Sequence, residues 1–272
     1  MDVAKFLSDV EDFSDDFIRA NRAKVPIVGR VLMILTFFED GFRILFNIQS
    51  HVKFMQNSWS LPYLISLIIM MYLCLVQLIA PFCILIRRKI LIACVLLGSV
   101  IVLQTIFYHM YSDLRFLIRN LSVIGCLNLL VTETIIDEKP LTGRNVPTLA
   151  DDFQFKSLII LVGRCYLVFM LISLLNFEGG FRFLKIVELL VSFVMSVCVA
   201  TGFRTKAASL ALAIWLFVVN IFLNNWWSQT DATTIDFMKY DFFQTLSVVG
   251  GLLLVIHIGP GEVSYDDMKK QW

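Results

Sequence analysis

Apolar runs about twenty residues long recur along this chain, and nothing else in it constrains the fold so strongly. Residues 61–86 and 90–109 are two such runs, parted by the cationic triplet Arg87-Arg88-Lys89. About 20 predominantly apolar residues suffice to cross a bilayer as a helix. Within hydrocarbon each backbone N–H and C=O must find its partner inside the segment, so single spans of this kind are helical. Hydropathy places spans at 25–46, 61–86, 90–109, 116–133, 158–176, 184–202, 207–225 and 241–258. The expected fold class is therefore all-α, a polytopic membrane helical bundle of about eight transmembrane helices. Six or seven crossings are the alternative, because the fourth and eighth runs are weaker. Composition agrees: 58% of the 272 residues are hydrophobic, 17% are charged and the mean hydropathy is +0.78. A soluble domain carries about a quarter charged residues.

Charge sets the orientation. An even number of spans leaves both termini on one side. Sixteen of the 23 Lys and Arg residues then fall on that side and seven on the other, which makes the terminal side cytosolic by the positive-inside rule. Trp59, Trp226 and Trp227 mark the opposite interface. The net charge of +1, with no basic run interleaved with aromatics, gives no sign of nucleic-acid binding. Residues 1–24 are acidic and polar and lack the apolar centre of a signal peptide, so targeting is expected from the first span. Phe6, Val10, Phe13 and Phe17, at helical spacing, make this segment a cytosolic amphipathic helix expected to pack on the bundle.

The chain also repeats itself. Gly29-Arg30 followed by Glu39-Asp40-Gly41-Phe42-Arg43 recurs as Gly163-Arg164 followed by Glu178-Gly179-Gly180-Phe181-Arg182. Arg88-Lys89 recurs as Arg204-Thr205-Lys206, and Leu121-Ser122-Val123-Ile124-Gly125 as Leu246-Ser247-Val248-Val249-Gly250. Four spans per unit give a parallel repeat, 25–133 and 158–258, about an axis along the membrane normal, with a central site between the halves. A cytosolic linker, 134–157, is broken by Pro140, Gly143 and Pro147. A cytosolic tail, 259–272, follows the second unit. The six cysteines, Cys74, Cys83, Cys94, Cys126, Cys165 and Cys198, all lie in apolar runs and read as small buried hydrophobes.

Candidate site residues cluster at the non-cytosolic span ends. Glu39 and Arg43 are four apart and share a helix face, with Asp40 beside them. Charges near hydrocarbon are costly and mark functional candidates, although an internal ion pair that only locks packing is the alternative. Gln104, His109, Asp113 and Arg119 join them from the first half. Glu178, Arg182, Asn220, Asn224, Asn225, Asp236, Lys239, Tyr240, Asp241 and Gln244 join them from the second. Together they are expected to line a lumenal vestibule whose acids attract an amino terminus and whose apolar walls suit a short hydrophobic peptide. Asp236 reads as a solvated loop residue, and Asp241 alternatively as a helix cap. Catalysis is not expected. His51, His109 and His257 are scattered without metal-ligand spacing, no GxSxG motif occurs, and neither a cofactor nor a metal is implied. Lys269 and Lys270, fourth and third from the end, match a dilysine retrieval signal, an address read by the retrograde coat.

Several words of the sequence are characteristic. They are Thr36 to Arg43, Leu103-Gln104-Thr105-Ile106, Asp113 to Asn120, Val146-Pro147-Thr148, Lys239 to Thr245, and the tail from Gly259 to Ser264 with Lys269-Lys270. On these the chain resembles the surfeit locus protein 4 family over nearly its whole length. The resemblance implies a cargo receptor cycling through the endoplasmic reticulum, the intermediate compartment and the Golgi membrane. It implies soluble secretory cargo as lumenal partners, with Glu39, Asp40, Arg43, Gln104, Asp113, Arg119, Tyr240, Asp241 and Gln244 as candidate cargo-binding residues. Vesicle coat proteins and membrane lipids are the other implied partners, and self-association is left open. Family ties to lipoprotein export and phospholipid scrambling make an ATP-independent scramblase the alternative. The doubled unit is similar to the DoxX-type membrane fold, which places a membrane oxidoreductase last. Two departures bear on cargo preference and local packing: Trp227 to Thr233 lacks a Thr-Ile-Pro word, and Gly125-Cys126 with Asn128 replaces a glycine run.

Overall fold

A computed structural model of the chain describes residues 12, 14–138, 161–163, 165, 182–201 and 204–259. The described residues form helices and turns, with no strand among them. We label the helices α1 (Val25–Phe46), α2 (Ile48–Trp59), α3 (Tyr63–Leu85), α4 (Ile90–Phe107), α5 (Leu114–Glu138), α6 (Arg182–Thr201), α7 (Thr205–Leu223) and α8 (Ala232–Ile258). Among the described residues, five segments are long and apolar enough to cross a membrane: α3, α4, Phe116–Ile135 of α5, Thr205–Ser228 and Thr234–Ile258 of α8. The 22 residues of α1 carry Arg30, Glu39, Asp40 and Arg43, yet its length of about 33 Å is that of a spanning helix. Apolar residues in α6 run over Leu190–Val199. The fifth expected span, 158–176, lies outside the described residues except 161–163 and 165, which are helical. Most of the linker and the retrieval lysines also lie outside them.

One element is added and one expectation is corrected. The segment after the first span, to which hydropathy assigns no element, is a second helix, α2; Val52 and Met55 on one face pack against Ile44, Met70, Leu73 and Val100. The last helix begins at Ala232, nine residues before the expected start at 241, so Asp241 lies inside it and is no cap. The cap is Asp231, whose carboxylate accepts from the Thr234 backbone N–H at 3.0 Å and from its hydroxyl at 2.8 Å. These two bonds hold the Asp231 carboxyl below its usual range. Asp236 accordingly sits on a helix, not in a loop.

α8 and α5 form the centre. The spanning part of α8 has 67% of its residues buried, against 33% for α4, so α4 lies at the lipid-facing edge. α1 packs between α8 and α3. The main core joins Met33, Ile34 and Phe37 of α1 to Leu97, Cys126, Leu129, Leu130, Leu212, Leu216, Val248, Leu252 and Val255. At the other end, residues 14–20 are helical. Their contact face is Ser14 and Ile18, with Ile18 against Val25, Leu210 and Ile256; Phe17 of the expected apolar face is exposed.

The repeat appears in the packing. A Cβ on Gly29 would meet the Gly250 carbonyl oxygen at 3.0 Å and Leu254 at 3.3 Å. One on Gly163 would meet Leu129 at 2.7 Å and the Gly125 carbonyl oxygen at 3.5 Å. The first helix of each half thus lies against the fourth helix of the other, through corresponding glycines and leucines. Ser247 Oγ donates to the Met33 carbonyl at 2.6 Å across the first of these contacts. Within the first half, Arg30 Nε donates to both oxygens of the buried Glu133 carboxylate at 2.8 and 3.1 Å, and its Nη2 donates as well. Isolated charges at this depth are costly, and a hydrogen-bonded pair removes much of that cost.

Candidate functional site

The last three turns of α1 carry the site. Phe38, Phe42 and Phe46 stack at four-residue intervals, with centroids 6.4 and 6.2 Å apart. Helical neighbours at that spacing share a face. Asp40 and Arg43 turn inward as an ion pair, while Glu39 stays half-buried. Gly41 makes room for this: a Cβ there would come within 3.0–3.2 Å of Leu78 and Gln77 on α3.

A cavity of about 480 Å³ opens beside the phenyl ladder. Leu35, Phe38, Phe42, Phe46, Phe243 and Trp226 form its apolar wall. Glu39 and Asp236 supply carboxylates, Arg43 and Lys239 supply cations, and Asn47 lies at the rim. Lys239 Nζ sits 4.7 Å from the Trp226 ring centroid, a cation–π contact. Arg43 Nε and Trp226 Nε1 are buried donors without a protein acceptor.

Behind the cavity runs a polar seam through five helices. Arg43 lies 5.6 Å from the Tyr240 ring centroid. Tyr240 Oη donates to Asn120 Oδ1 at 3.1 Å, and Gln244 Nε2 donates to Tyr240 Oη at 2.6 Å. Asn120 Nδ2 donates to Thr105 Oγ1 at 3.0 Å, which donates to the Ile101 carbonyl at 2.7 Å. Arg119 pairs with Asp241. Asn220 Nδ2 donates to the Phe242 carbonyl at 3.0 Å.

The expected lumenal constellation therefore divides. Glu39 and Arg43 line the cavity. Asp40, Arg119, Tyr240 and Gln244 are buried and do not line it; Asp40 is 8% exposed. Asp241 is half-buried in its ion pair with Arg119. Gln104, half-buried near the end of α4, and Asp113, exposed before α5, lie outside the lining. Glu178 lies outside the described residues. Sequence reading passed over Asn120, the centre of the seam, and the stacked phenyl faces of the wall. An asparagine in an apolar helix was the available signal, since such a side chain bonds across a helix interface.

Long apolar helices, charges paired inside the bundle and an aromatic-walled cavity at one end define a polytopic helical membrane protein. Residues 4–272 match the model of the SURF4 family. The chain is 37% identical over 273 residues to the uncharacterized protein T02E1.7 of Caenorhabditis elegans, covering 100% of both chains. It is 35% identical to the Surfeit locus protein 4 homolog of Drosophila melanogaster, covering 98% of each. It is 31% identical to the ER-derived vesicles protein ERV29 of Saccharomyces cerevisiae, covering 98% of this chain and 84% of that one. No solved structure matches it. The chain belongs to the SURF4 family.

Proposed function

We propose that this protein is a cargo receptor of the early secretory pathway. It binds soluble lumenal cargo in the endoplasmic reticulum for export to the Golgi, and Lys269 and Lys270 retrieve it. The observation that carries this reading is the pairing of an aromatic wall with carboxylates in one cavity. Phe38, Phe42, Phe46 and Phe243 offer apolar area to a short hydrophobic segment, worth about 25 cal/mol per Å² removed from water. Glu39 and Asp236 would receive an amino group, and Arg43 and Trp226 hold donors for backbone carbonyls. The seam behind Arg43 fixes the floor, so Asp40, Arg119, Tyr240 and Gln244 act by positioning. One comparison lends support: the yeast relative bears the name of an ER-derived vesicles protein, and its match covers nearly all of this chain.

The test is client export. In cells relying on a Glu39→Lys variant, a secreted client should stay in the endoplasmic reticulum while the variant reaches normal abundance. Crosslinking of lumenal proteins to the variant should fall with it. Normal export in that background overturns the reading. Replacing Lys269 and Lys270 together by serine should shift the steady-state distribution toward the Golgi, measured by immunofluorescence.

A further inference from the structure

At the opposite end of α1 lies a second cavity, of about 610 Å³. Its wall is Arg22, Ala23, Pro26, Ile27, Arg30, Leu85, Arg87 and His257. Three guanidinium groups and one imidazole face it, and among the described lining residues there is no carboxylate. Glu133, which holds Arg30, stands behind the wall rather than in it. The other half of the wall is apolar. Ile27 is 57% and Leu85 43% exposed. On the same two helices Val28, Ile79 and Phe82 also face outward, as does Ile86 just after α3. The cavity therefore sits where the lipid-facing surface meets the basic end of the bundle, which also carries Lys24, Arg88, Lys89, Arg204 and Lys206.

From this placement we infer that the cavity binds the headgroup of an anionic phospholipid from the cytosolic leaflet. The guanidiniums of Arg22 and Arg87 would grip the phosphate at the mouth, and the acyl chains would lie along Ile27 and Leu85. Planar guanidinium forks match phosphate oxygens in geometry as well as charge. Arg30 sits one helical turn, about 6 Å, deeper than Pro26, so the cationic wall extends from the interface into the bundle. Basic pockets between helices at the cytosolic face suit anionic headgroups. A soluble phosphate would gain nothing from the apolar half of the wall. A phosphatidylcholine headgroup would bring a cation of its own to this basic wall. The site lies at the other end of α1 from the aromatic cavity and does not depend on the cargo reading.

The experiment is native mass spectrometry of the full-length protein. It is taken from vesicles of phosphatidylcholine doped with phosphatidylserine, with and without glycerol 3-phosphate in solution. The wild type should retain phosphatidylserine selectively, and glycerol 3-phosphate should not displace it. Arg22→Gln with Arg87→Gln should weaken retention about tenfold or more, while Arg88→Gln with Lys89→Gln, which removes equal charge at the same end, should leave it unchanged. If the double variant does not fold, Arg22→Gln alone, in the turn before α1, should lower retention about fivefold. Equal retention of the two lipids overturns the inference. So does an equal loss in both double variants, which would reveal a diffuse field, and so does displacement by glycerol 3-phosphate, which would reveal a soluble-phosphate site.

Discussion

Neighbouring acids on α1 are set apart by one hundred degrees of helix. Asp40 is buried against Arg43, whereas Glu39 faces the aromatic cavity. Removing a buried partner strands the other charge, at a cost of about 3–5 kcal/mol. Asp40→Ala should therefore lower the melting temperature in detergent markedly, whereas Glu39→Gln should leave it nearly unchanged and reduce cargo crosslinking. Equal stability losses would refute the division. His51 gives a pH signature of its own. Its Nδ1 lies 2.8 Å from Tyr108 Oη; burial first, then the Arg43 charge, push its pKa down. The folded state thus binds fewer protons than the unfolded one. Stability is full above the ordinary histidine value, near 6.5, and falls as pH drops below it. Melting temperatures scanned between pH 8 and pH 5 should show this decline, and His51→Gln should flatten that part of it.

Between elements, contact is closest where glycines meet. A Cβ on Gly250 would stand 2.5 Å from the Gly29 carbonyl oxygen and 2.8 Å from the Met33 nitrogen. Both atoms belong to backbone, so α1 and α8 would have to separate. Gly250→Ala should cost stability, whereas Gly98→Ala, with nothing within 4 Å of the new methyl, should be neutral or gain about 1 kcal/mol from helix propensity. Thermal unfolding of the two purified variants decides it. Element positions were largely legible beforehand, because a run of twenty apolar residues has few alternatives in lipid. α2 was not, since Gln49, His51, Lys53 and Gln56 dilute its apolar side. The start of α8 was not either, because Thr233, Asp236 and Lys239 read as loop until Asp231 is seen capping them. The seam was the least legible feature. Periodicity tells which residues share a face on one helix, but not that Asn120 of α5 meets Tyr240 of α8.

For the molecule as a whole, the repeated glycine words mark where the first helix of each half crosses the fourth helix of the other. The two ends then serve different chemistry: an aromatic and acidic cavity at one, a basic and apolar cavity at the other. Arg30–Glu133 is the buried pair nearest the basic end. Glu133→Gln should destabilise by about 3–5 kcal/mol, and Arg30→Met with Glu133→Met should recover most of that loss. Denaturant titration of the single and double variants reads it directly.

Both Lys89 before α4 and Arg204 before α7 hold left-handed backbone, with φ of 52° and 46°. Glycine would rest there at lower strain, by about 1 kcal/mol each. The chain instead keeps a cation at each hairpin tip, with Arg88 and Lys206 close by. A Lys89→Gly, Arg204→Gly protein should therefore melt later than the wild type once purified, as thermal unfolding in detergent would show.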